Sequence, residues 1–304
     1  MENIYTFDNQ LEGTKVTQEE GFQKASDRVK ESMKFFMETG MYGKMKNAEA
    51  KKKQYQEALR KKAEQLDGLR YEFPDQQMVM KFVAKSVYHW DYYALNDYLR
   101  DIGILPLVVD IDTKAVKQQD SDLLNFLSHF EEPQTYSLSA SFNKKGKELW
   151  QLEEAPLPES SMEWYVEQIK AYNIEWTNLQ EHYETIKQQA EDVLYQGSDM
   201  KLYHDYGSFY LRKKPVSYDI DSILEFEGMG MNFLIQYGKP NPKKLESFFL
   251  DGVLKQSDLC PFRKEIDRKV DFMVMEKEKE DRVFGWFSKK NQIASQNYAK
   301  GSII

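Results

Sequence analysis

Ten apolar or aromatic residues recur at alternating spacings of three and four between Met162 and Val193: Met162, Tyr165, Ile169, Tyr172, Trp176, Leu179, Tyr183, Ile186, Ala190 and Val193. This spacing keeps one side of a helix apolar for nearly five heptads. At about 1.5 Å per residue the helix is roughly 47 Å long, beyond the ordinary globular length, so it must lie against other helices or span the molecule. Its rings are too bulky for a simple two-stranded leucine-type coiled coil, and Gln168, Glu175, Gln180 and Gln189 beside it offer little charge code for a partner helix. Trp176 and Tyr183 are therefore expected either in the chain's own core or in an interface with a second copy or a partner, where Tyr and Trp concentrate binding energy.

Around this helix the pattern is mixed. Phe22, Ala25, Val29, Met33 and Phe36 share one face of a helix over 18–38, which Thr39-Gly40 stops. A second helix over about 44–67 carries a thin stripe of Met45, Ala48, Tyr55, Leu59 and Leu66. Pro74-Asp75 opens an expected helix with Met78, Val79, Phe82, Val83 and Val87, and Asp91 caps another that ends at Gly103. A strand over Ile104 to Ile111, a helix over 120–131 and a hairpin from Tyr136 through Asn143-Lys-Lys-Gly146 to Leu152 follow. Glu153 to Glu159, with Pro156 and Pro158, reads as a linker, and Ser160 with Glu163 as the capping box of the long helix. Beyond Gly197 come a strand over 201–211, an Asp-capped helix over 221–227, an apolar stretch Met231 to Tyr237, a helix after Pro242 and a strand Val270 to Met275.

The resulting class is α+β and helix-rich. It comprises an N-terminal helical arm (1–70), an α+β unit (71–158), the long heptad helix (159–196), a second α+β unit (197–287) and a mobile tail (288–304).

Charge and cysteine content narrow the function. A net charge of −8 argues against general coating of nucleic acid, yet eight Lys or Arg stand against three Glu between Lys44 and Glu64. Lys51, Lys52 and Lys53, then Arg60, Lys61 and Lys62, are thus candidate contacts to an acidic protein or to phosphates. Cys260 is the sole cysteine, which rules out an internal disulfide and fits a reducing cytoplasm. The N-terminus lacks the basic and apolar regions of a secretory leader, and the longest apolar run, Ile102 to Val109, is far too short for a bilayer helix. No membrane association is expected. None of the four histidines has a second His at i+3 or i+4, and no Gly-rich phosphate loop is present, so no cofactor is expected.

One constellation could carry chemistry. Gly207-Ser208, the pair Asp219-Ile220-Asp221 and Asp271 together resemble the nucleotidyltransferase fold, in which a Gly-Ser turn holds the triphosphate and three carboxylates bind Mg²⁺. The likeness covers residues 207–271. Against it, Ile220, Ile223 and Leu224 follow helical spacing, which makes Asp221 a helix cap, and Asp-Ile-Asp recurs at 110–112.

In overall character, rich in Lys, Glu, Gln and Tyr with long helices, the chain resembles phage and mobile-element proteins of low-GC Gram-positive bacteria. Among these it is similar to the Gabija anti-defence inhibitors. That resemblance implies an oligomeric, non-enzymatic protein of the host cytoplasm that assembles on a bacterial defence complex and inhibits it. A nucleotidyltransferase-like enzyme and a nucleic-acid-binding accessory protein are the alternatives.

Overall fold

A computed structural model describes residues 18–119, 121–150, 157–226 and 230–283, together with 285, 289, 290 and 292. In chain order, α1 (Gln18–Glu38) and α2 (Met41–Ala63) precede the hairpin of β1 (Arg70–Phe73) and β2 (Met78–Trp90). Then come α3 (Tyr92–Asp101), α4 (Leu105–Val108), β3 (Val109–Ile111), α5 (Thr113–Gln119) and α6 (Ser121–Leu127). After β4 (Tyr136–Phe142) and α7 (Lys144–Glu148) runs α8 (Met162–Gln196), 35 residues long. The remainder is β5 (Lys201–His204), β6 (Gly207–Lys213), α9 (Ile220–Glu225), α10 (Gly230–Tyr237), β7 (Gly238–Pro240), α11 (Pro242–Leu250) and β8 (Arg263–Glu276), with 3₁₀ turns at Ser128–Phe130 and Gln256–Phe262. The class is α+β. No helix among the described residues is long and apolar enough to cross a membrane.

Two compact units form, each from three separate stretches of chain. The first takes the described residues of 1–51, 137–156 and 171–212. Its sheet has the order β4-β6-β5, with β5 and β6 closed by the two-residue turn Asp205-Tyr206 so that His204 faces Gly207. Against the sheet lie Val29, Met33, Phe36 and Met37 of α1, Tyr42 and Met45 of α2, and Tyr183, Ile186, Ala190 and Val193 of α8, all buried. Gly40, at φ 74°, supplies the left-handed residue that lets α1 turn into α2.

The second unit takes the described residues of 52–136, 157–170 and 213–304. Its antiparallel sheet β1-β2-β8 is dominated by a long β2/β8 ribbon, which runs from Met78 opposite Glu276 to Trp90 opposite Arg263. A bulge between Val87 and Tyr88 leaves Ile266 without a partner in the ladder. The main core gathers Leu95, Leu99, Leu105, Val108, Ile223, Phe233 and Leu234 around the short β3-β7 pair. Asn96, fully buried, donates from Nδ2 to the carbonyls of Ile235 at 3.1 Å and Gly238 at 2.7 Å, satisfying acceptors where α10 ends.

Several local expectations are corrected. The segment 78–90 is a strand, not a helix: Pro74 to Gln77 form the hairpin turn, with Gln77 N–H bonded to Pro74 O at 3.1 Å. Val79, Val83 and Val87 are β-branched, and Met78 to Lys81 are buried on both faces, so a continuous apolar run imitates helical spacing there. In 104–111 only Val109–Ile111 is strand, because Pro106 suits the first turn of a helix and α4 forms instead. Asn143 does not turn a hairpin. Its side chain accepts the Gly146 N–H at 2.9 Å and starts α7, and β4 pairs with β6 instead. The single strand expected over 201–211 is the β5/β6 hairpin, and α8 is capped by Ser161, whose Oγ accepts the Trp164 N–H at 3.2 Å, instead of by Ser160. Most of the expected linker (151–156) and most of the tail from Ser288 lie outside the described residues.

Candidate functional site

The basic helix is better anchored than its thin stripe suggests. Tyr42, Met45, Ala48, Tyr55, Leu59 and Ala63 of α2 are all buried. Around them the cations fall into heptad rows. Lys46, Lys53 and Arg60 are seven residues apart and share one flank, while Lys44, Lys51 and Lys62, spaced by seven and eleven, share the other. Neighbours seven apart sit about 10 Å apart along the axis. The rows differ in how their charge is engaged. Lys46 is paired with Glu49 at 3.2 Å, Arg60 with Glu64 at 2.7 Å, and the Lys62 ammonium lies 5.9 Å from the Tyr165 ring centroid. Lys44, Lys51 and Lys61 form no ion pair among the described residues, and Lys44, Lys53, Arg60 and Lys61 are exposed. Lys52 is half-buried beside the apolar stripe. Helix polarity reinforces the pattern, because Arg60, Lys61 and Lys62 occupy the last turn, where positive charge is favoured.

The heptad residues divide along α8. Tyr165, Val166 and Ile169 are buried in the second unit and Tyr183, Ile186, Ala190, Val193 and Leu194 in the first, while Tyr172, Trp176 and Leu179 between them are half-buried. Tyr183 stacks on Phe36 at 5.8 Å and meets Tyr42 at 5.8 Å, and burial pushes its hydroxyl pKa up. It is a core residue, the first of the two places expected for it. Trp176 keeps partial exposure and has packing partners of its own.

The three carboxylates of the nucleotidyltransferase-like constellation are not brought together as metal ligands. Asp219 is the N-cap of α9, accepting the Ser222 N–H at 3.1 Å and its hydroxyl at 2.6 Å, which holds its pKa below the usual carboxylate value. Asp221 lies in the first turn of that helix, so the cap is Asp219 and not Asp221. Asp271 sits on β8 and pairs with Lys85 at 2.5 Å. Gly207 and Ser208 belong to the first unit, where Gly207 is extended against β4 and Ser208 is buried with its Oγ 3.0 Å from that of Ser141. Among the described residues no group of three His, Cys, Asp or Glu side chains is placed to hold a metal ion.

His204 is half-buried, whereas His89, His129 and His182 are exposed. The Nδ1 of His204 accepts the Tyr206 N–H at 3.3 Å, and its ring lies 5.2 Å from Phe209. Burial, opposed only by Asp205, lowers its pKa to about 4, so it stays neutral.

Sequence reasoning passed over one cluster, Trp90, Tyr92 and Arg263. The string Trp90-Asp91-Tyr92 reads as a cap signal, and indeed Asp91 accepts the Ala94 N–H at 3.0 Å. Aromatic residues on both sides of a cap were the available signal, but Arg263 joins them only through the ladder with β8. Compared with protein-family models, curated proteins and solved structures, the chain matches none of them.

Proposed function

We propose that the chain is a non-enzymatic binding protein that docks the cation rows of α2 on an acidic surface of a host protein complex and inhibits that complex by assembling on it. The supporting observation is the pair of rows, Lys46-Lys53-Arg60 and Lys44-Lys51-Lys62, flanking the buried stripe of a single helix. A firmly seated helix holds its charges at fixed spacing, and in a chain of net charge −8 this local reversal of sign favours one orientation of approach. In its finer form the proposal takes the chain to be encoded by a phage or mobile element, the partner to be a bacterial defence nuclease complex in the host cytoplasm, and the active form to be an oligomer.

The test is charge reversal at Lys44, Lys53 and Arg60, row members that are all exposed, followed by binding to and inhibition of purified defence nuclease complexes across a salt series. The expected result is an unchanged melting temperature with binding weakened most at low salt. Identical curves for variant and wild type would remove the proposal. The same rows suit phosphates, so duplex DNA is titrated in parallel: a log–log salt slope of several units, lost in the variant, would replace protein docking by nucleic-acid binding.

A further inference from the structure

Where β2 passes into α3, Trp90 and Tyr92 flank the capping residue Asp91, whose own N–H is held by Phe262 O at 2.9 Å. With the backbone between them fixed, the two rings stand 6.5 Å apart between centroids and within 10° of parallel. Arg263, opposite Trp90 in the ladder, places its guanidinium 4.4 Å from the Tyr88 centroid and 5.6 Å from that of Trp90. Trp90, Tyr92 and Arg263 line one side of a cavity of about 340 Å³ whose other walls include Pro242, Leu245 and Phe249 of α11. That volume falls within the range of small-ligand sites, about 300–1,000 Å³.

The charge inventory of this cavity does not close. Glu246 and Lys290, both at its wall, pair with each other. Arg263 is half-buried, and among the described residues no carboxylate pairs with it. Contact with the two rings leaves the guanidinium its N–H donors, one of which reaches only Cys260 Sγ at 3.6 Å, a weak acceptor. A guanidinium held beside aromatic rings with donors to spare can receive a phosphate through paired N–H bonds. A cationic ligand is disfavoured, because Arg263 and Lys239 already stand over the rings of Trp90 and Tyr92, Lys239 at 5.8 Å from the Tyr92 centroid. An aliphatic ligand would leave the fork unsatisfied.

Flat aromatic walls, an apolar floor and one unspent guanidinium fit a planar heterocycle joined to an oxyanion. We infer that this cavity binds a nucleotide, with its base against Tyr92 and Trp90 and its phosphate on Arg263. Lys239 is exposed, and in the inferred complex its ammonium leaves the Tyr92 face for the phosphate as the base arrives. Free mononucleotides and the terminus of a single strand share this chemistry. The site uses none of the residues of the α2 rows, so it stands or falls separately from the docking proposal.

The test titrates the full-length protein with adenosine 5′-monophosphate, adenosine, inorganic phosphate and a twelve-residue oligodeoxyadenylate, read by calorimetry and by tryptophan fluorescence. Saturable binding of the monophosphate is expected, with adenosine and inorganic phosphate each at least about tenfold weaker, the loss of one charged hydrogen bond or of the stacking surface. Arg263→Gln should lower affinity for the monophosphate by about tenfold or more, Arg263→Lys should recover part of it, and Tyr92→Phe should retain what Tyr92→Ala loses. Tighter binding of the oligonucleotide assigns the site to a strand end, and equal binding assigns it to the free nucleotide. Absence of saturation by every adenine probe up to about 1 mM, or inorganic phosphate binding as tightly as the monophosphate, overturns the inference. So does wild-type affinity in Arg263→Gln; should that variant fail to fold, wild-type affinity in Tyr92→Ala, a change at a partly exposed ring, overturns it instead.

Discussion

Lys81 and Glu280, 199 residues apart in the chain, meet at 2.9 Å with both side chains buried. Glu280 also accepts from Arg70 Nη2 at 2.8 Å, so one carboxylate from the helical stretch 277–283 answers two cations of the β1/β2 hairpin. Arg70, then Lys81, hold its pKa down to about 2. Lys81 is only 6% exposed, so removing the acid takes a carboxylate away from a largely buried ammonium. Glu280→Gln is expected to destabilise the second unit by about 3 kcal/mol, and the double variant Glu280→Gln with Lys81→Met by clearly less. Chemical denaturation of the four corners of that cycle measures it, and a double-variant loss equal to the sum of the two single-variant losses would show that the pair is not coupled.

Gly207 fixes how the first unit closes. Its φ of 153° and its approach to β4 leave no room for a side chain: a Cβ would collide with the Ser141 carbonyl oxygen and the Phe142 Cα. Both obstacles are backbone and cannot swing aside. Gly207→Ala should cost more than about 2 kcal/mol, while Gly21→Ala, in an exposed helical position with nothing within 4 Å, should be neutral or stabilising. Melting curves of the two variants decide this, and a wild-type midpoint for Gly207→Ala would mean that β4 can move away from β6.

Asn96 offers only donors where α10 ends, since its Nδ2 faces three carbonyls, those of Leu234, Ile235 and Gly238. Asn96→Asp replaces a donor by an acceptor. It should destabilise more at pH 8 than at pH 5, because a protonated carboxyl can still donate and an ionised one cannot. Asn96→Ala should cost about 1–3 kcal/mol with no such pH dependence. A pH-independent loss in Asn96→Asp would place the new side chain outside the carbonyl cluster.

The elements most visible in the sequence were those whose signals are local. The heptad stripe of α8, the cap Asp91, and the stops at Gly40 and Gly103 all arise within a few residues of where they act, and each is found in the fold. What was hidden depends on distant chain. Whether Met78 to Val87 is strand or helix is decided by β8, nearly two hundred residues away, and Arg263 acquires meaning only opposite Trp90. The tripeptide Asp219-Ile220-Asp221 shows the converse: a metal-like spacing arises wherever an acidic residue caps a helix and another follows in its first turn. The interleaving of two units from three stretches each has no local signature at all.

Acid should dismantle the two units in order. His204 in the first unit has an ordinary value of 6.5 and a folded value of about 4, because burial favours its neutral form. The unfolded chain therefore binds a proton before the folded one does, so this group's contribution is fully present above pH 6.5 and is lost as pH falls toward 4. Glu280 in the second unit has an ordinary value of 4.5 and a folded value of about 2, so its contribution is complete above 4.5 and is lost only as pH falls toward 2. Hydrogen exchange, corrected for intrinsic rates and read on peptides from 201–213 and from 70–90, should show β5 and β6 losing protection near pH 5 while β1 and β2 keep theirs until below pH 4. His204→Gln, which cannot titrate, should move the first loss to lower pH and leave the second where it is. Simultaneous loss at one midpoint, or protection vanishing first from β1 and β2, would show that neither group governs the acid response of its unit.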